Sequence, residues 1–172
     1  MQGLIINNIR RFVILFLIQV LVLKQVNITW EDFNYIFLMI YPLFILLLPI
    51  KISRSAQLLM AFVLGIAVDM FYDSPGLHAS ALVLLAYIRK YILKFLEPVD
   101  GYSIESTPTI RKYGFNWFLI YSSLLMFIHL FVFFSLEAFS FVYFFDIILK
   151  TIFSFIFSQI IIIVYVLILN PK

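Results

Sequence analysis

The sequence predicts an all-α integral membrane protein with about six transmembrane helices in one bundle. The first observation is composition: 65% of the 172 residues are hydrophobic and only 12% are charged, with a mean hydropathy of +1.11. Soluble domains typically carry about 25% charged residues, because their surfaces face water. The second observation is that apolar runs recur at the length of a membrane span, about 20 residues. The third is that basic residues fall at the ends of these runs.

Six apolar runs are long enough to be spans of a single domain that covers residues 1–172. They lie at approximately 9–28, 33–50, 56–72, 77–96, 115–136 and 147–169. The fourth run is cleanly apolar only over 79–88, so a helix reaching residue 96 requires Arg89 and Lys90 to snorkel toward the lipid headgroups. We interpret the short apolar stretch 139–145 as an early start of a tilted sixth helix.

The basic residues predict the orientation of the spans. Lys and Arg are concentrated in the cytoplasmic loops of membrane proteins. With six spans, only Lys24 and Lys150 of the 12 basic residues lie at one set of helix ends, and all the others lie at the opposite set. Both termini are therefore expected in the cytoplasm, and the turns at Glu31, Asp73 and Glu137 are expected outside.

The sequence offers few groups for catalysis or cofactor binding. It contains no cysteine, and we find no H-E-x-x-H, no G-x-S-x-G and no glycine-rich phosphate loop. Its basic residues sit at the ends of apolar runs rather than along one polar face, which is not typical of a nucleic-acid-binding protein. We therefore predict a protein that is not an enzyme, with no metal, no cofactor and no nucleic-acid partner.

The most distinctive pattern is the predicted hairpin between the third and fourth spans. Ala61, Gly65 and Asp69 follow one another at i+4 and therefore share one helix face. The small residues let a second helix approach closely. An acid costs about 2.5–3.5 kcal/mol at mid-bilayer, so Asp69 is expected to be paired or to face a cavity. Ser74 and Gly76 predict a tight turn. The pattern fits either a well-packed structural hairpin or a functional site.

From about Leu43 to Tyr91 the sequence resembles the MreD family of bacterial rod-shape-determining membrane proteins. The residues that carry the resemblance are, in order, Leu48-Pro49, Gly65, Asp69, Ser74, Gly76, Ala81 and Ala86-Tyr87. The family's usual Ser-x-x-Gly spacing is shortened here, and His78 stands where another residue is often found. Together with the hairpin pattern, the resemblance gives these candidate helix-packing or partner-binding residues: Ala61, Gly65, Asp69, Ser74, Gly76, His78, Ala81 and Tyr87.

The resemblance implies a non-catalytic subunit of the cell-wall elongation machinery in the bacterial cytoplasmic membrane, which scaffolds or regulates peptidoglycan synthesis. The implied partners are an MreC-like protein, a glycosyltransferase of the shape, elongation, division and sporulation class, a class B penicillin-binding protein and MreB filaments, besides the lipid bilayer. The family is also distantly similar to the substrate-binding subunits of energy-coupling-factor transporters, which implies a comparable six-helix bundle.

A second hypothesis, from a different functional class, stays open at this point. The chain is also compatible with a small transporter or solute-binding component in which Asp69 and His129 line a cavity. Transporters usually contain discontinuous helices or several ionisable groups within the membrane. Pro42 is the one helix breaker in the middle of a predicted span, and His129 is also compatible with a neutral side chain hydrogen-bonded between helices.

Overall fold

The computed structural model describes residues 2–26, 35–102 and 107–169, which form helices and no β-strand. The helices are α1 (Gln2–Leu17, continued as a π-helix over Ile18–Leu23), α2 (Leu43–Leu46), α3 (Arg54–Tyr72), α4 (Leu77–Phe95), α5 (Ile110–Tyr113), α6 (Phe115–Ala138) and α7 (Phe144–Leu169). In the bundle, α4 packs between α3 and α6, and α6 packs between α4 and α7. The α1 helix contacts α2 and α3.

Within the described residues, four helices are long and apolar enough to cross a membrane. They are Ile6–Leu23, Arg54–Tyr72, Phe115–Ala138 and Phe144–Leu169, and they lie where the first, third, fifth and sixth spans were predicted. Their outer surfaces are apolar: Leu59 is 62% exposed and Met70 is 75% exposed. Side chains of this kind suit contact with lipid rather than water. The chain is therefore a helical membrane protein, but the prediction of six such helices is wrong for the part that the structure describes.

The predicted second span, 33–50, is not a membrane-crossing helix. Residues 35–40 are not helical, and only the single turn α2 follows them. Residues 33 and 34, like the predicted outer turn at Glu31, lie outside the described residues. The physical reason is Pro42, which disfavours a helical conformation at the residue before it and lacks the N–H that a helix interior needs. Residues 39–48 are all buried, so this run is apolar because it fills the bundle interior.

The α4 helix covers the predicted fourth span, but Arg89 does not behave as predicted. Lys90 and Lys94 are exposed, whereas only 1% of Arg89 is exposed, and its guanidinium bonds to groups inside the bundle. The prediction that Arg89 snorkels toward the headgroups is therefore wrong. With these three basic residues, α4 is not among the four helices that length and composition mark as able to cross a membrane.

The stretch 139–145 does not simply extend the last helix. The α6 helix ends at Ala138 because Phe139 adopts a left-handed conformation with a φ of 44°. A 3₁₀ turn, Phe141–Tyr143, follows, and α7 begins at Phe144. The interpretation as an early start of the last helix therefore holds only for the final two residues of the stretch.

Candidate functional site

The α3 and α4 helices meet at the predicted small residues. Ala61 and Gly65 are both buried on α3. A Cβ atom added to Gly65 would lie 2.7 Å from the backbone nitrogen of Ala79 and 3.0 Å from its Cβ, and it would be closer still to the Cα. Such distances leave no room for a side chain, so only glycine permits this approach. One turn before Ala61, Gln57 Nε2 donates a hydrogen bond to the carbonyl of Ala86 across the same interface (2.9 Å).

Asp69, the next member of the i+4 series, caps the start of α4. Its Oδ1 accepts a hydrogen bond from the backbone nitrogen of His78 (2.9 Å), and its Oδ2 accepts one from the backbone nitrogen of Ala79 (3.0 Å). The first N–H groups of a helix have no partner inside the helix. Gly76, at the N-cap position of α4, has no side chain that could accept them. The carboxylate of Asp69, which belongs to α3, therefore replaces the missing N-cap side chain of α4. Its negative charge also interacts favourably with the positive end of the α4 dipole.

The turn between the helices completes the shell around Asp69. The Ser74 hydroxyl donates to Asp69 Oδ1 (3.0 Å), and His78 Nδ1 lies 3.0 Å from the same oxygen and 2.9 Å from the Ser74 Oγ. Gly76 has a φ of +85°, and Asp73 closes α3 with a φ of 51°. Left-handed conformations favour glycine and are tolerated by Asp. Asp73 is exposed, so the buried i+4 series ends at Asp69.

The structure brings five of the eight candidate residues together at this end of the hairpin: Gly65, Asp69, Ser74, Gly76 and His78. Ala61 continues the same helix interface, and Ala81 is buried in the core. Tyr87 does not join the cluster. It is 43% exposed on the outside of α4, where the guanidinium of Arg54 lies 4.3 Å from its ring centroid. Among the described residues, no group of three His, Cys, Asp or Glu side chains is placed to hold a metal ion.

Two serines of α7 hold one edge of the non-helical segment 35–40. The Ser154 hydroxyl donates to the carbonyl of Tyr35 (3.2 Å) and accepts from the nitrogen of Phe37 (2.9 Å). The Ser158 hydroxyl donates to the carbonyl of Phe37 (3.4 Å) and accepts from the nitrogen of Met39 (3.0 Å). Alternate residues of an extended chain are about 6.5 Å apart, and residues four apart in a helix are about 6 Å apart, so the spacing of the two serines matches that of the two sites.

Gln19 of α1 holds the opposite edge of the same segment. Its Nε2 donates to the carbonyl of Leu38 (3.0 Å), and its Oε1 accepts from the nitrogen of Ile40 (2.8 Å). The side-chain amide thus pairs with the segment as the backbone of a neighbouring β-strand would. Non-helical backbone is tolerated at membrane depth only where protein satisfies its polar groups. Gln19, Ser154 and Ser158 meet that requirement, and each is buried.

The carbonyl groups at the end of α2 are bonded by buried donors. Arg89 donates to Leu48 O, to Leu46 O (3.5 Å), to Gln57 Oε1 (3.3 Å) and to the Tyr121 hydroxyl (2.8 Å). The Tyr121 hydroxyl in turn donates to Leu46 O (2.9 Å). A cation is favourable at the C-terminal end of a helix, where carbonyls lack intrahelical partners. Arg89 therefore stabilises the end of the 35–48 segment, which consists of the non-helical residues 35–40 and the residues around α2.

Two aromatic side chains bond the last carbonyls of α4. The Tyr102 hydroxyl donates to Leu93 O (2.8 Å), and Trp117 Nε1 donates to Leu96 O (2.8 Å). Burial raises the pKa of Tyr102, so its hydroxyl keeps the proton that this hydrogen bond requires. These contacts attach the chain that leaves α4 to the start of α6.

Sequence reasoning did not assign roles to the polar residues that hold the 35–48 segment. Gln19 lies in the first predicted span, and Ser154 and Ser158 lie in the sixth, but none of the three was singled out. Two signals were present: serines four apart in a largely apolar helix, and Pro42 within an apolar run. His129 is hydrogen-bonded to this segment too, because its Nε2 lies 2.8 Å from the Tyr41 hydroxyl.

Comparisons of the chain with protein-family models, with curated proteins and with solved structures find no match. The family resemblance therefore depends only on the residues quoted from the hairpin region.

Proposed function

We propose that this chain is a non-catalytic membrane subunit that scaffolds or regulates bacterial cell-wall elongation beside an MreC-like protein. The observation that supports a scaffold is that the distinctive polar side chains of the bundle bind the chain itself. Asp69 caps α4, Arg89 clamps the end of α2, and Gln19 pairs with residues 38 and 40. A catalytic or transport site needs such groups to be available to a ligand. The link to cell-wall elongation comes from the family resemblance.

The outer face of the α3–α4 hairpin is the surface that we expect a partner helix to contact within the bilayer. Leu59, Phe62 and Met70 of α3 are each more than half exposed, and Leu84 and Tyr87 of α4 are exposed as well. The cluster around Asp69 and Gly65 fixes the relative position of the two helices. The cluster therefore does not contact the partner but maintains the geometry of the surface that does.

Depletion of the chain in the bacterium that encodes it tests this function. We expect rod-shaped cells to become round and swollen without losing the uptake of any nutrient. In the depleted strain, Asp69→Leu and Gly65→Leu should fail to restore the rod shape, because they disrupt the hairpin. Ile168→Leu, an apolar change on the exposed face of α7 and away from the partner surface, is the matched control for membrane insertion and should restore the shape. Cells that stay rod-shaped on depletion would overturn the proposal.

A solute-binding component is the second candidate, and one cleft favours it. A space of about 180 Å³ lies beside the non-helical segment, and Gln19, Lys24, Tyr72, His78 and Glu137 contribute polar groups to it. Small-molecule sites usually measure about 300–1,000 Å³. This cleft is smaller, and Gln19 and Tyr72 are hydrogen-bonded to each other (2.7 Å). A depleted strain that keeps its shape but requires a vitamin or another nutrient would select this function.

A further inference from the structure

A basic cleft lies at the end of the bundle where α3 begins and α4 ends. Its volume is about 400 Å³. Four cationic side chains line it, Arg54 from α3 and Arg89, Lys90 and Lys94 from α4, against one carboxylate, Glu97. The cleft therefore has an excess of positive charge. It is separate from the cluster around Asp69, which lies at the other end of the same two helices.

The two lysines of this cleft are available to a ligand. Lys90 and Lys94 are exposed, and neither forms an ion pair with any residue that the structure describes. Arg54 is held over the ring of Tyr87, which fixes its guanidinium at the edge of the cleft. Arg89 also reaches this region, but its donors are already used by the 35–48 segment and Tyr121.

The remaining walls of the cleft are mostly apolar, since Gln57 and Tyr102 are bonded to backbone carbonyls, and the apolar surface continues outside it. Ile50, Ile52, Ala86 and Leu93 line the interior. Leu84, one turn along α4 from Tyr87, is 38% exposed on the membrane-facing surface. A ligand that fits must therefore combine an anionic group with an apolar body. A membrane lipid with a phosphate headgroup has this combination, and a free phosphate ion does not.

We propose that this cleft binds the phosphate headgroup of an anionic phospholipid, with Lys90, Lys94 and Arg54 around the phosphate and an acyl chain along the apolar surface of the hairpin. Basic pockets between membrane helices are known to select anionic headgroups. This site does not depend on the role in cell-wall elongation, because its argument uses only charge, shape and exposure.

The test uses the quenching of tryptophan fluorescence by lipids with brominated acyl chains. Trp117 lies beside the cleft, with its ring centroid 6.2 Å from that of Tyr102, a cleft residue. The Trp30→Phe protein, which keeps Trp117 as its one tryptophan, is reconstituted in phosphatidylcholine containing brominated phosphatidylglycerol or, separately, brominated phosphatidylcholine. We expect preferential quenching by phosphatidylglycerol. Lys90→Gln with Lys94→Gln should weaken that preference roughly 25-fold, at about fivefold for each charge.

Matched variants separate this site from general surface charge and from misfolding. Arg111→Gln with Lys112→Gln removes the same charge outside the cleft and should keep the preference. Lys90→Arg with Lys94→Arg retains the charge and should keep it as well, which shows that the effect of the Gln variants is electrostatic. An equal loss in the Arg111 and Lys112 variant, no preference in the parent protein, or displacement of the lipid by excess inorganic phosphate would each overturn the proposal.

Discussion

At the scale of single residues, Asp69 shows how a costly acid becomes part of a helical membrane protein. The start of α4 leaves backbone N–H groups without partners, and the turn places a glycine where a capping side chain would normally stand. The carboxylate on α3 supplies both missing acceptors, one from each oxygen. Burying either the acid or the unpaired N–H groups alone would cost free energy, and the hydrogen bonds between them reduce both costs.

The use of both carboxylate oxygens predicts how Asp69 responds to substitution. Asn keeps one acceptor but places an NH₂ donor where the second acceptor was, so Asp69→Asn should cost about 1–3 kcal/mol. Asp69→Leu removes both acceptors and should cost more. The measurement is the thermal unfolding of the purified protein in detergent. Asp73→Asn, at the exposed end of the same helix, is the control, and an Asp69→Asn protein as stable as that control would contradict the capping role.

Gly65 gives a second prediction at this scale, in which two effects have opposite signs. In a free helix, Gly→Ala is favourable by about 1 kcal/mol. At Gly65 the new Cβ would meet the backbone of Ala79 at 2.7 Å, so the helices must separate. We therefore expect Gly65→Ala to destabilise the protein in the same unfolding measurement. An increase in stability would mean that the interface between α3 and α4 has room for a Cβ atom at residue 65, which would contradict the close approach described here.

At the scale of the elements, the 35–40 segment depends on side chains from two helices instead of on its own helical hydrogen bonds. Ser154→Ala with Ser158→Ala should leave the nitrogens of Phe37 and Met39 without acceptors, at about 1–3 kcal/mol for each buried group. Hydrogen–deuterium exchange of these two amides should accelerate while the amides of α6 stay protected.

Ser135→Ala is the matched control for the two serines. The Ser135 hydroxyl donates to the carbonyl of Phe131 one turn back in its own helix, so its loss leaves no partner outside α6. Exchange at residues 37 and 39 should therefore be unchanged in this variant. Equal exchange in the double variant and in the control would show that the serines do not hold the segment.

The same segment shows how far the sequence could predict these elements. Local composition determines the helical conformation of long apolar runs such as α7, and the structure has helices where these runs were predicted. The 35–48 run is equally apolar, but its conformation depends on acceptors and donors more than 100 residues away, such as Ser158. Pro42 was the local signal against a continuous helix. In the same way, Arg89 was assigned to the headgroups because its partners Leu48 and Tyr121 are not its neighbours in sequence.

At the scale of the whole molecule, the orientation in the membrane stays a prediction. We expect the end of the bundle that contains Arg54 and Lys94 to face the cytoplasm, since basic residues accumulate there. Because the chain has no cysteine, Pro75→Cys should react with a membrane-impermeant maleimide in intact cells. Ser53→Cys and Val99→Cys, both at exposed positions, should react only after the membrane is opened. Labelling of the last two in intact cells would contradict this orientation.

The class of the whole-molecule fold was predictable from the sequence, but the number of membrane-spanning helices was not. Composition was sufficient to indicate a helical membrane protein, and the spacing of Gly65 and Asp69 indicated a close α3–α4 hairpin. Within the described residues, the number of membrane-crossing helices was overestimated for two reasons. Residues 39–48 of the 33–50 run fill the interior, and their hydropathy does not differ from that of a run that faces lipid, while α4 carries three basic residues. The distribution of Lys and Arg between the two sets of helix ends did not distinguish an apolar run in the interior from one that faces lipid.

The hydrogen bonds of the 35–40 segment also constrain the order of events during synthesis. Met39 bonds to Ser158, 119 residues later in the chain. At typical rates of about 5–20 residues per second, the ribosome needs on the order of ten seconds to cover that distance. During this interval the amides of the segment have no α7 to accept them, so the segment cannot remain unpaired in hydrocarbon. Until α7 arrives, the segment must therefore stay outside the hydrocarbon or satisfy its backbone groups in a different conformation from the final one.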